Sequence, residues 1–230
     1  MFAPPEQPTF ARPVRGGDVA AGLVAFLAAG AAMVGLGLLL VHAGAGAWLV
    51  PAGGALQVLL VWLALRLRGF TAADLGFTAP RRPWRLLWQV PLAWVAMMLV
   101  AAPLAQALLG PRPPGPAEAD AEAVRTAVGE PAALVSLVLL MTLVIPALEE
   151  IVFRRLLYGW LERRWGVGVA VAASAAVFGA AHVLPEAVLI IGALGVATAV
   201  LARVQRSLWA PLALHMFNNT IVVAAILALG

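Results

Sequence analysis

The sequence predicts an all-α protein, a polytopic membrane helix bundle of about seven spans with its N-terminus inside and its C-terminus outside. Hydrophobic residues make up 63% of the 230 residues and charged residues only 11%, whereas soluble domains contain about 45–50% and about 25% of these classes. Apolar runs of about 20 residues, the length that crosses a bilayer, recur along the chain. They occupy most of it, so we expect no separate soluble domain.

The first 18 residues are polar and rich in Pro, and the apolar run after them is too long for the core of a signal peptide. We interpret that run as an uncleaved first span. The seven predicted spans cover residues 19–42, 47–65, 84–109, 131–158, 168–184, 186–202 and 208–229. The chain then divides into 1–130, a polar tail with three spans, and 131–230, a four-helix core. Residues 110–116 and the acidic cluster 118–122 are expected to form an outer loop.

The basic residues are fifteen Arg, which give the chain a net charge of +4. Because they lie between apolar segments, they indicate membrane topology and no nucleic-acid partner. Twelve of them fall on the side predicted to be cytoplasmic, namely Arg12, Arg15, Arg66, Arg68, Arg81, Arg82, Arg85, Arg155, Arg163, Arg164, Arg203 and Arg206. The absence of Lys and the high Ala content favour a prokaryotic source. We therefore expect a multi-pass protein of a prokaryotic cytoplasmic membrane, in contact with membrane lipids.

Six polar residues stand out inside the predicted spans, where an ionisable group costs about 2.5–3.5 kcal/mol. They are Glu149, Glu150, Arg154, His182, His215 and Asn219, with Asn218 beside the last. Each is therefore a candidate functional residue. Because the chain has no Cys, thiolate metal sites and a cysteine nucleophile are excluded.

The two adjacent glutamates of the fourth span are predicted to have different roles. Successive helical residues point about 100° apart, whereas residues four apart share a face. Glu150 therefore faces Arg154, and the two charges form an ion pair out of water. Glu149 has no such partner on its own helix, so its carboxylate is suited to take a proton from water. Pro146, one turn earlier, is expected to bend the helix beside both carboxylates.

The same spacing pairs Phe178 with His182 and His215 with Asn219. A His or Asn inside a membrane helix is often only an interhelical hydrogen-bonding group, worth about 0.6 kcal/mol. A buried Glu–Arg pair can likewise be architectural. Two carboxylates, an Arg, two His and an Asn on three helices together favour a functional site.

Helix lengths predict which of these residues lie at the same depth. A turn near Gly166 would make the fourth and fifth spans an antiparallel hairpin. Glu149 lies 17 residues before that turn and His182 lies 16 residues after it. At a rise of about 1.5 Å per residue, both lie about 25 Å from the turn and are level with each other. The link at 182–187 then falls within the membrane and is expected to be partly re-entrant.

Three motifs follow one another in the C-terminal half: EEIVFR at 149–154, FGAAH at 178–182 and HMFNN at 215–219. In order and spacing they resemble the EExxxR, FxxxH and HxxxN motifs of the CPBP family of intramembrane proteases, also called the ABI family. That family includes the type II CAAX prenyl endopeptidases and bacterial proteins linked to bacteriocin processing and self-immunity. The resemblance covers roughly residues 131–225, and a weak DLGF lies at 74–77.

The resemblance implies an intramembrane endopeptidase that cleaves a membrane-associated peptide or protein. Glu149, with His182, would position and deprotonate a water molecule. His215 and Asn219 would polarise the scissile carbonyl and stabilise the oxyanion. The supporting residues would be Glu150, Arg154 and Phe178. The core at 131–230 would then be the catalytic region.

The cofactor stays open at this point: none, or a divalent metal such as zinc. Family members are commonly described as metalloproteases, and a metal-free glutamate mechanism is also argued. Glu149, His182 and His215 could supply a two-His, one-Glu zinc set. Asn219 is a poor zinc ligand and a good oxyanion donor, which favours the metal-free mechanism.

Two other functions are compatible with the same residues. A carrier or proton-relay protein also places Glu and His inside a bundle, but the inverted repeats of such proteins are not apparent in the sequence. A non-catalytic immunity or binding protein could have kept the fold. The intact set of motif residues favours the protease over both.

Overall fold

The computed structural model describes residues 8–110, 118–182 and 185–229, and these residues form helices joined by short connections, without a strand. The all-α prediction is thus confirmed. In chain order the helices are α1 (Gly16–His42), α2 (Leu49–Leu67), α3 (Leu86–Leu109), α4 (Glu118–Ala127), α5 (Pro131–Leu139), α6 (Ile145–Glu149), α7 (Gly159–Ala180), α8 (Pro185–Gln205) and α9 (Trp209–Leu229).

Six helical stretches in the described residues are long and apolar enough to cross a membrane. They are Gly16–Met33, Gly46–Leu67, Pro83–Leu109, Pro131–Ala180, Val188–Gln205 and Trp209–Ala228. The fourth stretch is interrupted at Gly166, whose φ of 81° is outside the helical range. Because the chain reverses there, this stretch supplies two antiparallel segments. A multi-pass membrane bundle is therefore confirmed, and the inward N-terminus stays a prediction.

Two wide π-helical turns interrupt the helix that carries the glutamates. They cover Leu140–Val144 and Glu150–Tyr158, on either side of α6. In the first, the N–H of Ile145 bonds to the carbonyl of Leu140, five residues back. The carbonyl of Met141 then has no helical donor, because residue 146 is Pro and lacks an N–H. Wide turns of this kind occur frequently at functional sites.

The predicted cytoplasmic Arg residues meet at one end of the bundle, the Arg-rich end. The backbone N–H of Arg81 bonds to the carbonyl of Gln205, which joins the α2–α3 connection to the end of α8. Arg155 donates from Nε to the carbonyl of Asp74 at 2.6 Å and from Nη2 to that of Arg12 at 3.0 Å. The DLGF segment, which begins at Asp74, therefore has a structural place beside the N-terminal tail.

The acidic cluster 118–122 is part of a helix, so the prediction of a loop there is wrong. One face of α4 packs against α5 and α9, with Ala121, Val124 and Ala127 buried beside Leu137 and Ile226. These small apolar residues recur every three positions and so lie on one face. The links at 111–117 and 183–184 lie outside the described residues, and so does the core of the predicted re-entrant segment.

Helices α7 and α8 approach each other closely through small residues. A Cβ at Gly179 would lie 2.6 Å from the carbonyl oxygen of Val188, and one at Gly195 would lie 2.9 Å from the Cα of Ala175. Only glycine fits at such a distance between helix backbones. This packing holds α7, which ends two residues before His182, in a fixed position.

Candidate active site

Glu149 lies between two histidines that come from other helices. It is the last residue of α6 and is buried. Its Oε2 is 3.3 Å from Nε2 of His215 on α9, and its Oε1 is 3.9 Å from Nε2 of His182 at the end of α7. The structure therefore brings together these three predicted site residues. The level positions of Glu149 and His182 follow from the reversal at Gly166.

The imidazole of His182 is oriented by its own helix. Its Nδ1 is 2.9 Å from the carbonyl oxygen of Phe178. Because a carbonyl can only accept a hydrogen bond, Nδ1 carries the hydrogen, and Nε2 faces Glu149. The side chain of His182 is 30% exposed, compared with 9% for Glu149 and 3% for His215. Water and substrate can thus reach the carboxylate from the His182 side.

Glu150 contacts Arg154 as the helix spacing predicts, and it also contacts His215. Its Oε2 is 3.2 Å from Nε of Arg154, and both side chains are completely buried. Its Oε1 is 2.8 Å from Nδ1 of His215. His215 is therefore bound on one side by Glu150 and faces Glu149 on the other. The sequence analysis did not predict this second contact, because helix spacing reports only neighbours on one helix.

Arg154 has two further partners. It donates from Nε to Oγ1 of Thr198 at 2.9 Å, and a second bond runs from Nη2 to the same hydroxyl. Its guanidinium carbon lies 4.2 Å from the ring centre of Phe178. Thr198, on α8, is a site residue that sequence reasoning missed. A single Thr in an apolar helix usually bonds to the carbonyl four residues earlier, as Thr198 also does with Leu194, so its sequence gives no signal.

Phe178 is the apolar centre of the site. Its ring packs edge-on against His182 and His215 at centroid distances of 5.0 and 5.7 Å, and against Phe153 at 5.0 Å. It is fully buried. Phe178 therefore fixes both imidazoles and the guanidinium of Arg154.

Asn219 lies one turn beyond His215 and bonds to the wide turn of the neighbouring helix. Its Nδ2 donates to the carbonyl of Met141 at 2.8 Å, the group that Pro146 leaves without a donor. Its Oδ1 accepts from Nδ2 of Asn218, whose own Oδ1 accepts from Trp94 on α3. An amide nitrogen has two hydrogens, so the second one can serve a substrate. The structure places Asn219 beside the site without a direct contact to Glu149.

The predicted zinc set consists of Glu149, His182 and His215, which come from three different helices or helix ends. Among the described residues, no three His, Cys, Asp or Glu side chains form a group that could hold a metal ion. The Nε2 atoms of His215 and His182 both face Glu149, at 3.3 and 3.9 Å, and a metal-bound His also makes a contact from its other ring nitrogen to a carboxylate or carbonyl. These contacts are compatible with either cofactor prediction, none or a divalent metal, and the mechanism proposed below uses the side chains alone.

Asp120 on α4, outside the membrane spans, lies near enough to His182 to interact with it electrostatically. Burial raises the pKa of the Asp120 carboxyl, and the neighbouring charge of His182 partly opposes that rise. The helix α4 therefore brings a carboxyl group near His182. Sequence reasoning missed this contact because it interpreted residues 118–122 as a solvated loop.

The comparisons with known proteins concern the same part of the chain. Residues 131–221 match the family described as "Type II CAAX prenyl endopeptidase Rce1-like". A protein of Bacillus subtilis (strain 168) named "Putative membrane peptidase YdiL" is 31% identical over 87 residues, which are 38% of this chain and 36% of that protein's length. No solved structure matches the chain. All three motifs fall inside the matched region, so the resemblance to the CPBP family is confirmed over residues 131–221.

Proposed function

We propose that the protein is an intramembrane endopeptidase in which Glu149 activates a water molecule. The observation that supports this most strongly is the position of Glu149: it is buried between two histidines, of which His182 is partly exposed. A carboxylate in this position can take a proton from water. The family match of residues 131–221 independently supports a membrane protease.

In the proposed reaction the side chains of the site act one after another. Water binds between Glu149 and His182 and gives its proton to Glu149 while its oxygen attacks the carbonyl carbon of the scissile peptide. The carbonyl oxygen becomes an oxyanion, which His215 and Asn219 stabilise by hydrogen bonds. Glu149 then passes the proton to the leaving amine, the C–N bond breaks, and a carboxyl and an amine terminus are released.

The contact between His215 and Glu149 supports the role of His215 as a donor. The Nδ1–H of His215 donates to Glu150, and Nε2 lies 3.3 Å from Oε2 of Glu149. Two acceptors at this distance repel each other, so a proton lies between these two atoms. A hydrogen on Nε2 can turn from Oε2 of Glu149 toward an oxyanion.

Glu150 and Arg154 act as supporting residues in this proposal. The Arg154 guanidinium offsets the charge of Glu150, while Thr198 and Phe178 hold it in place. This arrangement fixes the ring plane of His215 without contact to the substrate. We propose a membrane-associated peptide or protein as substrate, since the site lies within the membrane spans.

The test is a comparison of newly formed protein termini in membranes from three strains. A strain that lacks the gene is complemented with the wild-type chain, with Glu149→Gln, or with an empty vector, and termini are identified by mass spectrometry. We expect termini that occur only with the wild-type chain. A Glu149→Gln strain with the wild-type set of termini would contradict the proposal. Protein abundance, measured in the same membranes, distinguishes a lost activity from a lost protein.

A further inference from the structure

A basic pocket of about 440 Å³ lies at the Arg-rich end, where α1 begins and α2 ends. It is lined by Arg12, Pro13, Arg15, Asp18, Leu67 and Arg68. Three basic side chains and one acidic side chain give this lining a net charge of +2. The pocket is separate from the candidate active site, and none of its residues has a role in the proposed reaction.

The acidic residue of the pocket is occupied by internal contacts. Oδ1 of Asp18 accepts from Nε of Arg68 at 2.8 Å, and Oδ2 accepts from the backbone N–H of Arg15 at 2.9 Å. The side chain of Asp18 is only 7% exposed. Asp18 therefore holds Arg68 and the start of α1 in place, and its oxygens do not face an incoming anion.

Of the three basic side chains, Arg12 is paired with Asp74 at 2.6 Å, whereas Arg15 and Arg68 remain available to a ligand. The side chain of Arg15 is exposed, and within the described part of the chain its guanidinium has no ion pair. Arg68 is 40% exposed and uses Nε, but not its two terminal nitrogens, for Asp18. Gly17 permits this arrangement, because a Cβ there would lie 3.0 Å from Nη2 of Arg68.

The surroundings of the pocket are those of a membrane surface. The span formed by α1 begins here, at Gly16, and the span formed by α2 ends here, at Leu67. Leu67 is 78% exposed, so an apolar wall lies directly beside the Arg side chains. The indole of Trp160 lies 3.8 Å from the Cβ position of Gly16, and Trp is enriched at the headgroup level. A ligand that fits this lining has an anionic group and an apolar chain.

We propose that this pocket binds the phosphodiester of an anionic phospholipid. Arg guanidinium groups bind phosphate oxygens through pairs of hydrogen bonds, and basic pockets between membrane helices bind anionic headgroups. Arg15 and Arg68 contact the phosphate, and the glycerol and acyl chains pass over Leu67 into the bilayer. A free phosphate would satisfy the two Arg side chains but would leave Leu67 without a partner.

The experiment measures the thermal stability of the full chain in phosphatidylcholine nanodiscs with increasing phosphatidylglycerol. A ligand that binds the folded state raises the unfolding midpoint, so we expect a saturable rise. Arg15→Gln should raise the phosphatidylglycerol fraction needed for half of that rise by roughly fivefold, the factor for one Arg near an anionic surface. Among the described residues, the side chain of Arg15 makes no hydrogen bond or ion pair, so the variant should remain folded.

Arg66→Gln is the matched control, because Arg66 is an exposed residue of α2 outside the pocket. We expect its phosphatidylglycerol dependence to equal that of the wild-type chain. If both substitutions weaken the phosphatidylglycerol dependence equally, the lipid is attracted only by the overall positive charge of this end of the bundle, and the proposal is overturned. Soluble glycerol phosphate is added in a separate series without phosphatidylglycerol. The same saturable rise with that compound would show a site for free anions and would also overturn it.

Discussion

Removal of Glu150 should destabilise the protein by leaving a buried cation without a counter-charge. Arg154 is completely buried, and its Nε is 3.2 Å from Glu150. Loss of one partner from a buried pair costs about 3–5 kcal/mol. For a chain of this length each kcal/mol lowers the unfolding midpoint by about 2–4 °C. Glu150→Ala should therefore lower the midpoint by about 6–20 °C, and Arg154→Ala should have a similar effect.

The double substitution Glu150→Ala with Arg154→Ala gives the more specific prediction. It leaves neither charge alone, so its cost should be smaller than the sum of the two single costs by about 0.5–3 kcal/mol. Some cost remains, because Thr198 loses the donors on Arg154 and His215 loses its acceptor on Glu150.

The assay is thermal unfolding of the four purified proteins in one detergent, followed by Trp fluorescence. Arg66→Ala serves as the control for loss of an exposed Arg and should change the free energy of unfolding by no more than about 0.5 kcal/mol. Strictly additive single effects would refute the ion pair. A Glu150→Ala protein that unfolds at the wild-type temperature would refute the argument from burial.

Three further predictions concern other parts of the bundle. Burial raises the pKa of Asp120, so unfolding releases a proton, and the unfolding midpoint should fall as the pH rises from the ordinary Asp pKa through the raised value. Asp120→Asn should remove that part of the fall. If the midpoints of the wild-type chain and the variant change with pH in parallel, the prediction is contradicted. Gly179→Ala should cost about 1–3 kcal/mol by overpacking, because its Cβ would meet Val188. Gly35→Ala, with nothing within 4 Å of its Cβ, should keep or raise the unfolding midpoint in the same thermal assay, because Ala favours a helix over Gly. A reporter enzyme that is active only in the periplasm should show activity when fused after Gly230 and none when fused after Arg82. The reverse pattern would exclude the inward N-terminus.

The helices and the depth of the site could be predicted because the signals are local. Apolar length and the position of Arg report where a helix enters and leaves a membrane. A Gly followed by a second apolar run indicated the reversal at Gly166, and the helical rise then placed Glu149 level with His182. The Glu150–Arg154 contact follows from the spacing of four residues alone.

The remaining contacts depend on how separate helices pack, which one sequence does not report. Thr198 approaches Arg154 from α8, and Trp94 approaches Asn218 from α3. The wide turn at Leu140–Val144 leaves the carbonyl of Met141 without a helical donor, and Asn219 supplies that donor from another helix. Helix α4 was missed because its apolar face consists of small residues within an acidic segment.

The central claim is that Glu149 is the base that activates water, and the rate of Glu149→Gln tests it most directly. A peptide that spans a bond cleaved in membranes with the wild-type chain and not with the empty vector is incubated with each purified protein, and initial rates are compared. Gln keeps the shape of Glu but cannot take the proton, so we expect the rate to fall by about 10²–10⁴-fold while the unfolding midpoint stays near that of the wild-type protein. A stable Glu149→Gln protein that cleaves the peptide at the wild-type rate would contradict the account.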